Sequence, residues 1–205
     1  MLTSRTRAHR ECMNRWAQSQ TITELGELGA LWLEGEIPSQ PGYEKLCGPD
    51  EETHHLIPVL ARLNRAGYFT CGSQPGVSPE SGCEYDHWQR AAVDGFIDGD
   101  DPDLLAEINT AVHGIDGLHL IVHATPRRQL RKFDHFKSVA VTRFAGEDYT
   151  WFGACLSRRY LRFMYSETGA LDALWGSWQV TVVDEVWGRN DVLWSALERA
   201  GQSSS

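Results

Sequence analysis

The spacing of hydrophobic residues predicts helices mainly in the first half of the chain and strands mainly in the second. The clearest helical pattern has apolar residues at i, i+3, i+4 and i+7, which are Leu56, Val59, Leu60 and Leu63. Gly67 supplies a stop after this pattern. Pro58 lies inside it, so the regular helix is predicted to begin near Thr53 or later, with the proline in or near the first turn.

Other helices and the strands are predicted from capping signals and apolar runs. Thr21 and Glu24 have the spacing of a capping box, and a helix follows to about Leu33. Asp101 and Pro102 suit the N-cap and first position of another helix. A final helix is predicted over 192–200, and strands are predicted over 68–74, 91–97, 118–124, 138–144, 149–156, 160–165 and 178–183.

The order of these elements indicates an α+β fold. Helices come first and between the early strands, and the later strands follow one another directly. The sequence therefore predicts a mixed, mainly antiparallel sheet with helices packed on one face. The predicted single domain spans 21–201, with a flexible N-terminal tail over 1–20 and a C-terminal tail over 202–205.

The composition fits a globular protein. Hydrophobic residues make up 41% of the chain and charged residues 23%, which is too apolar for a disordered protein. No apolar run approaches the ~20 residues that a membrane-spanning helix needs, so no membrane partner is predicted. The five cysteines are scattered and odd in number, which does not suit a disulfide framework, and we expect a reduced, cytoplasmic protein.

The net charge of −9 is unevenly distributed. Residues 121–165 contain nine Lys or Arg and three Asp or Glu, a balance of +6, so the rest of the chain carries −15. Basic residues over 127–162 are interleaved with aromatic ones, a pattern that can bind nucleic acid. The acidic remainder disfavours nucleic acid as a partner, although the basic segment can still hold one anionic group.

The leading candidate site follows the predicted strand over 68–74. Hydroxyl, amide, aromatic and guanidinium groups gather at the ends of this strand and the next: Thr70, Ser73, Gln74, Gly76, Trp88 and Arg90. The turn at Gly76 would present backbone N–H groups, and Arg90 can bind a carboxylate or phosphate beside Trp88. These residues are predicted to bind an anionic or polar small molecule. The alternative is a polar turn whose side chains satisfy local backbone groups.

Three residues are candidates for acid–base or nucleophilic chemistry. His54 lies near the start of a predicted helix, and His123 shares a strand face with His119. Cys71, beside the polar strand end, is a candidate nucleophile. Each also has an ordinary structural explanation as a solvated histidine, a core histidine or a small packing residue. The cysteines include no Cys-x-x-Cys pair, and neither a metal nor another cofactor is predicted.

Several strings of residues, mostly in the first half, carry a resemblance to a known family. They are Glu52-Thr53-His54-His55-Leu56-Ile57-Pro58, Ser73-Gln74-Pro75-Gly76 and Gln89-Arg90-Ala91-Ala92-Val93-Asp94-Gly95-Phe96. With these strings the chain resembles an uncharacterised actinobacterial domain family of unknown function. The resemblance covers the first half clearly and the second half loosely. It implies no activity and assigns no catalytic residue.

Two hypotheses of function follow. The first is a small cytoplasmic enzyme or ligand-binding domain that acts on an anionic or polar, nucleotide-like small molecule by metal-free acid–base or group-transfer chemistry. The second is a non-catalytic accessory module that binds a protein or nucleic-acid partner through the basic 127–162 segment and the C-terminal third. Five of the eight tryptophans lie in that third, where they suit a core or a homodimer interface. The sequence leaves open whether the protein is an enzyme.

Overall fold

The computed structural model describes residues 4–79, 86–124 and 138–200. The helices in these ranges are α1 (Ser4–Gln18), α2 (Ile22–Leu33), α3 (Ile57–Arg65), α4 (Pro102–Val112), α5 (Arg158–Met164), α6 (Leu171–Gly176) and α7 (Asp191–Ala200). A 3-10 helix, Glu51–Leu56, runs directly into α3. The strands are β1 (Tyr68–Gln74), β2 (His87–Gln89), β3 (Ala92–Ile97), β4 (Leu118–Ala124), β5 (Val139–Phe144), β6 (Glu147–Phe152) and β7 (Trp178–Asp184). None of the described helices is both long enough and apolar enough to cross a membrane.

The strands form two sheets. The larger sheet has the order β1-β3-β7-β4, and the smaller sheet has the order β2-β5-β6. The pairings between neighbouring described strands are antiparallel in both sheets. The α+β fold predicted from the sequence is therefore confirmed, but the strands divide between two sheets where one was predicted.

One face of the larger sheet is covered by helices and contributes most of the core. Val93 and Val182 are paired across β3 and β7, so their side chains lie on the same face, as does Val180 two residues away. These valines belong to one buried cluster with Ile108 of α4 and Leu193 of α7. Burial of such side chains stabilises the fold by about 1.5–3 kcal/mol each.

The opposite face of the larger sheet is covered in two parts. At one end Phe69 and Phe96, which are paired across β1 and β3, lie with their ring centroids 6.0 and 6.1 Å from that of Tyr165 at the end of α5. At the other end Ala92 and Val183 pack against Val141 of the smaller sheet. Helices therefore pack against both faces of the larger sheet, whereas helices on one face were predicted. The second face also needs a cover because Phe69 and Phe96 make it apolar at this end.

The N-terminal segment is helix α1 rather than the flexible tail predicted over 1–20. Cys12 and Trp16, one helical turn apart, are both buried. The Cys12 thiol and the Trp16 indole N–H donate to the backbone oxygen of Ser39 at 3.1 and 3.0 Å. So few buried positions in a mostly polar helix do not produce a recognisable apolar stripe, which explains why the sequence did not reveal it.

The segment predicted as a strand over 160–165 is helix α5 instead. Ser157 is its N-cap, and the Ser157 hydroxyl accepts a hydrogen bond from the Tyr160 N–H. Leu161 and Tyr165 follow one turn apart and are both buried. A capped helix with this i, i+4 burial overrides the preference of its aromatic residues for strands.

Close packing between α2 and α3 explains two glycines inside α2. A Cβ added to Gly26 would collide with the carbonyl oxygen of Asn64, and one added to Gly29 would lie 2.8 Å from Asn64 Oδ1. The Asn64 side chain in turn donates to Leu60 O at 2.8 Å and to Thr70 Oγ1 at 2.6 Å. Asn64 thus ties the helices to the beginning of β1.

Candidate functional site

The residues predicted to bind a ligand do not share one pocket. Thr70 and Ser73 border a small cavity of about 30 Å³ that Tyr43 also lines, and Gln74 lines a different cleft. The Thr70 hydroxyl accepts a hydrogen bond from Asn64, and its backbone N–H donates to Asn64 Oδ1 at 3.1 Å. The cavity beside them has room for about one water molecule, so it does not suit a ligand of metabolite size.

The Gln74 side chain joins the two sheets. Its Nε2 donates to the backbone oxygens of Arg90 at 3.0 Å and Val141 at 2.7 Å. Its Oε1 accepts a hydrogen bond from the Thr142 hydroxyl at 3.1 Å. Because both donors and the acceptor of the amide have partners, Gln74 serves as a structural bridge from β1 to β5.

Arg90 is also held by internal bonds. Its Nε donates to Glu185 O at 2.8 Å and its Nη1 to Ala140 O at 2.9 Å. The guanidinium carbon lies 4.1 Å from the ring centroid of Trp187, a cation–π contact. The aromatic wall beside Arg90 is therefore Trp187 and not Trp88 as predicted, because Trp187 reaches it from the loop after β7.

That loop is fixed by a buried ion pair. The Asp184 side chain has no exposed surface and accepts two bonds from Arg189, with Nε to Oδ2 at 2.6 Å and Nη2 to Oδ1 at 2.8 Å. The Val186 N–H also donates to Asp184 at 2.9 Å. Bidentate pairing of this kind fixes the relative position of the two side chains, so it stabilises one conformation of the loop.

The turn at Gly76 meets this loop rather than a ligand. The Gly76 N–H donates to Asn190 Oδ1 at 2.9 Å, and a Cβ at Gly76 would collide with the carbonyl of Arg189. Asn190 Nδ2 lies 3.2 Å from His55 Nε2, while the neighbouring His54 is exposed. The turn, the loop and the 3-10 helix are thus joined by a continuous set of hydrogen bonds.

The other two catalytic candidates lie on the larger sheet. His123 Nε2 is 2.9 Å from the backbone oxygen of Gly153. Burial is the main cause that raises the pKa of Cys71 to about 12, so its thiol is protonated near neutral pH. A reactive cysteine needs a lowered pKa, so the environment of Cys71 opposes the predicted role as nucleophile.

The larger sheet also holds a carboxyl group that sequence reasoning missed. Burial raises the pKa of Asp94 to about 6, against the opposing effect of hydrogen bonds from the Thr181 hydroxyl and the Gly153 N–H. The adjacent cavity, which Cys71 and Gln179 also line, measures about 20 Å³ and has room for about one water. The sequence contains a signal of this buried carboxyl group, because Asp94 lies within the apolar run Val93–Phe96.

A larger cleft of about 520 Å³ opens on one face of the smaller sheet. Its described lining consists of Glu52, Gln74, His87, Gln89, Thr142, Phe144, Tyr149 and Thr150. The strand register explains this set, because His87 is paired with Phe144, and Thr142 is paired with both Gln89 and Thr150. Directly paired residues project to the same face of an antiparallel sheet.

Gln89 carries the unusual feature of this cleft. Its side chain is only 5% exposed, and its Nε2 donates to Glu52 Oε2 at 3.2 Å. The acceptor at Nε2 is a carboxylate, which fixes the orientation of the amide and leaves Oε1 on the other side. Among the described residues this Oε1 has no hydrogen-bond partner. Buried acceptors without a donor are rare and point to a missing partner.

The rim of the cleft is aromatic. Phe144 is 48% exposed and Tyr149 is 79% exposed, which is high for large side chains. The ring of His87 lies against Phe144 with centroids 6.4 Å apart. Little in the sequence points to this site, because β2 is only three residues long and Gln89 is noted only as part of a resemblance.

The C-terminal tryptophans mostly build structure. Three belong to the main core or pack against it: Trp175, Trp178 and Trp194. Trp187 lies under Arg90, and Trp151 is exposed on β6. The basic run at 127–132, on which the nucleic-acid hypothesis depends, lies outside the described residues.

The fold defines a two-sheet α+β domain with an open cleft of about 520 Å³ on the smaller sheet. The chain belongs to the family DUF6919, described as a domain of unknown function, whose model matches residues 11–203. That match confirms the resemblance to an uncharacterised domain family, and it includes the second half of α1. No curated protein matches the chain.

Proposed function

We propose that this protein binds a polar small molecule in the cleft on the smaller sheet. The observation that supports this most directly is an open cleft whose described lining combines the exposed rings of Phe144 and Tyr149 with polar side chains such as Glu52 and His87. Small-molecule sites are built in this way, with aromatic walls and a few polar groups that orient the ligand. The cleft volume of about 520 Å³ is ordinary for small-molecule sites.

Chemistry on the bound molecule would involve Glu52 and His87. They are the carboxylate and the imidazole of the described lining, and residues of these types exchange protons with substrates in general acid–base catalysis. Binding in the cleft does not depend on such a step. The three histidine and cysteine candidates predicted from the sequence, His54, His123 and Cys71, lie outside the described lining. We therefore assign any acid–base role to Glu52 and His87.

We also propose the cytoplasmic location that was predicted from the sequence. Four cysteines of the described residues are free thiols: Cys12, Cys47, Cys71 and Cys155. Thiols persist in reducing compartments, which supports the proposed cytoplasmic location. A homodimer stays a prediction, and the exposed Trp151 on the edge strand β6 is the feature that agrees with it.

The binding proposal is tested by a thermal-shift screen of nucleosides, amino acids, sugars and amines. Compounds that stabilise the wild-type protein are then tested on Tyr149→Ala and on Phe163→Ala. The two side chains are matched, at 79% and 78% exposure, but Phe163 lies on α5 outside the described cleft lining. We expect the stabilisation to be lost in Tyr149→Ala and retained in Phe163→Ala. Equal stabilisation of both variants, or no stabilising compound, would contradict the proposal.

A further inference from the structure

Residues 153–156 connect β6 to α5 and lie against the second face of the larger sheet, between the two parts of its cover. We call this segment the strap. Its first residue, Gly153, donates its N–H to Asp94 Oδ2 of β3 at 3.4 Å, and His123 Nε2 of β4 lies 2.9 Å from its oxygen. Gly153 has a φ of 83°, which a glycine adopts without strain, so the chain can turn at this residue.

The last residue of the strap, Leu156, is held by Gln179 of β7. The Leu156 N–H donates to Gln179 Oε1 at 2.6 Å, and the Leu156 oxygen accepts from Gln179 Nε2 at 3.0 Å. Gln179 is paired with His123 of β4, and Thr181, two residues further along β7, is paired with Asp94 of β3. These four side chains therefore project from one face of the sheet and form a polar row beneath the strap.

Asp94 is the enclosed carboxyl group of this polar row. The cavity of about 20 Å³ beside it is lined on the strap side by Ala154 and Leu156. A cavity with room for about one water cannot hydrate a carboxylate as bulk water does, and burial raises the pKa of Asp94 to about 6. Opening of the strap would admit water to Asp94 and return its pKa toward the ordinary value of 3.8.

The neighbouring thiol and phenol groups do not supply a positive charge to Asp94. Burial raises the pKa of Cys71 to about 12, and it raises the pKa values of Tyr68 and Tyr165 well above their ordinary value. The strap adds a further buried thiol, that of Cys155. Ionised Asp94 is therefore stabilised by hydrogen bonds and not by a cation among these groups.

His123 acts on the strap in the same direction as Asp94. A protonated imidazole donates from both ring nitrogens, whereas a neutral one donates from only one of them. Protonation of His123 therefore secures its bond to the Gly153 oxygen. At low pH, both side chains that hold Gly153 favour attachment of the strap.

We propose that the strap is a pH-sensitive cover, which stays closed over the polar row while Asp94 is protonated and opens more readily once Asp94 is ionised. The direction follows from linkage, because Asp94 binds its proton more tightly in the closed state than in the open one. This contribution to closure is fully present below pH 3.8 and is lost as the pH rises through about 6. Since β6 ends directly before the strap, opening also frees one end of a strand that supplies Tyr149 and Thr150 to the cleft.

Amide hydrogen exchange followed by NMR tests this proposal at single residues. The Leu156 N–H bonds to Gln179, so its exchange reports opening of the strap rather than a change in the Asp94 hydrogen bond itself. Each rate is divided by the rate of the same amide in Asp94→Asn at the same pH, which cancels the pH dependence of the exchange chemistry. We expect this ratio for Leu156 to rise about tenfold between pH 5 and 7.

Two further variants locate the cause. The Thr181 hydroxyl donates to Asp94 and favours its ionised form, so Thr181→Val should move the rise in Leu156 exchange to higher pH. A purely structural role of Asp94 would not produce such a shift. Asp103→Asn, which changes an exposed carboxylate on α4, should behave as the wild type does.

A second amide separates opening of the strap from unfolding of the domain. Val182 is buried in β7, which lies between β3 and β4, so its amide exchanges only with a large disruption of the sheet. Leu156 should be less protected than Val182 at every pH, and equal protection of the two would overturn the proposal. A Leu156 ratio that is constant or falls between pH 5 and 7, or an unchanged midpoint in Thr181→Val, would also overturn it. These measurements use no ligand, so their outcome is independent of the proposed binding in the cleft.

Discussion

Two buried glutamine amides line the same cleft, but only one of them has all of its partners. Around Gln74, where the two sheets join, both amide donors bind backbone carbonyls and the oxygen accepts from Thr142. In the cleft wall, Gln89 donates to Glu52 and its oxygen accepts nothing among the described residues. The same residue type therefore joins the two sheets in one place and leaves a buried acceptor without a described partner in the other.

This difference shows how polar side chains at strand ends can be interpreted. Gln74 and Arg90 carry the groups that a ligand site needs, but backbone carbonyls already accept from the Gln74 amide and from Nε and Nη1 of Arg90. A buried group whose bonds are satisfied inside the protein stabilises the fold and has little left for a ligand. A site is better recognised by an unsatisfied group in a cleft than by polar residue types in a sequence.

The largest expected effect comes from removal of the bridge between the sheets. Gln74→Leu loses three hydrogen bonds and leaves the Arg90 carbonyl and the Thr142 hydroxyl without this partner, while the Val141 carbonyl keeps its bond from the Arg90 N–H. Each buried unsatisfied group costs about 1–3 kcal/mol, so we expect the free energy of unfolding to fall by about 4 kcal/mol. Urea denaturation followed by circular dichroism measures it. A loss below about 1 kcal/mol would mean that Gln74 is not the structural member of the pair.

A second, somewhat smaller effect on the free energy of unfolding concerns Asp94, a buried carboxyl group that has hydrogen-bond partners but changes its charge with pH. Burial raises the folded-state pKa of Asp94 to about 6 from an ordinary value of 3.8. The folded state therefore holds this proton more tightly than the unfolded state between these two values. The contribution is fully present below pH 3.8 and is lost as the pH rises through about 6.

Asp94→Asn tests this linkage. The free energy of unfolding of the wild type, measured relative to the variant, should fall by up to about 3 kcal/mol as the pH rises from about 4 to 7. Taking the difference between the two proteins cancels the titration of the carboxyl groups that they share. A difference that is flat with pH, or one that rises, would show that the Asp94 pKa is not raised.

Much of the fold could be predicted because its signals are local. β1 and β4 span the predicted residues, and the capping box at Thr21 and the N-cap at Asp101 are both formed. Pro58 lies in the first turn of α3, as its ring requires. Periodicity and capping depend on residues a few positions apart, and these are the features a single sequence contains.

The candidate site could not be predicted because it depends on contacts between distant segments. Gln74 and Val141 are 67 residues apart, and Gln89 and Glu52 are 37 residues apart. Pairing of β2 with β5 decides which residues face the cleft, and no local pattern encodes that choice. Sequence reasoning therefore found several polar residues of this region but not which of them lack a partner.

The Arg90 side chain allows a further test of the claim that the polar residues at these strand ends stabilise the fold. Arg90→Met loses its bonds to Glu185 O and Ala140 O and its contact with the Trp187 ring. We expect the free energy of unfolding to fall by about 2 kcal/mol. Arg90→Lys should recover little of this, since an ammonium group lacks the planar fork that reaches both carbonyls. Unchanged stability with lost ligand binding would instead support the anion clamp predicted from the sequence.

The smallest expected effect on stability is the one that most directly distinguishes the two glutamines. Gln89→Met has nearly the same length but no polar atoms, so it loses the bond to Glu52 and also removes the buried oxygen that has no described donor. These two changes oppose each other, because replacing an unsatisfied polar group by an apolar one of similar shape is nearly neutral. We expect the free energy of unfolding to change by less than about 1 kcal/mol in urea denaturation, against the large loss in Gln74→Leu. A loss as large as that of Gln74→Leu would mean that the Gln89 amide oxygen has a structural partner after all.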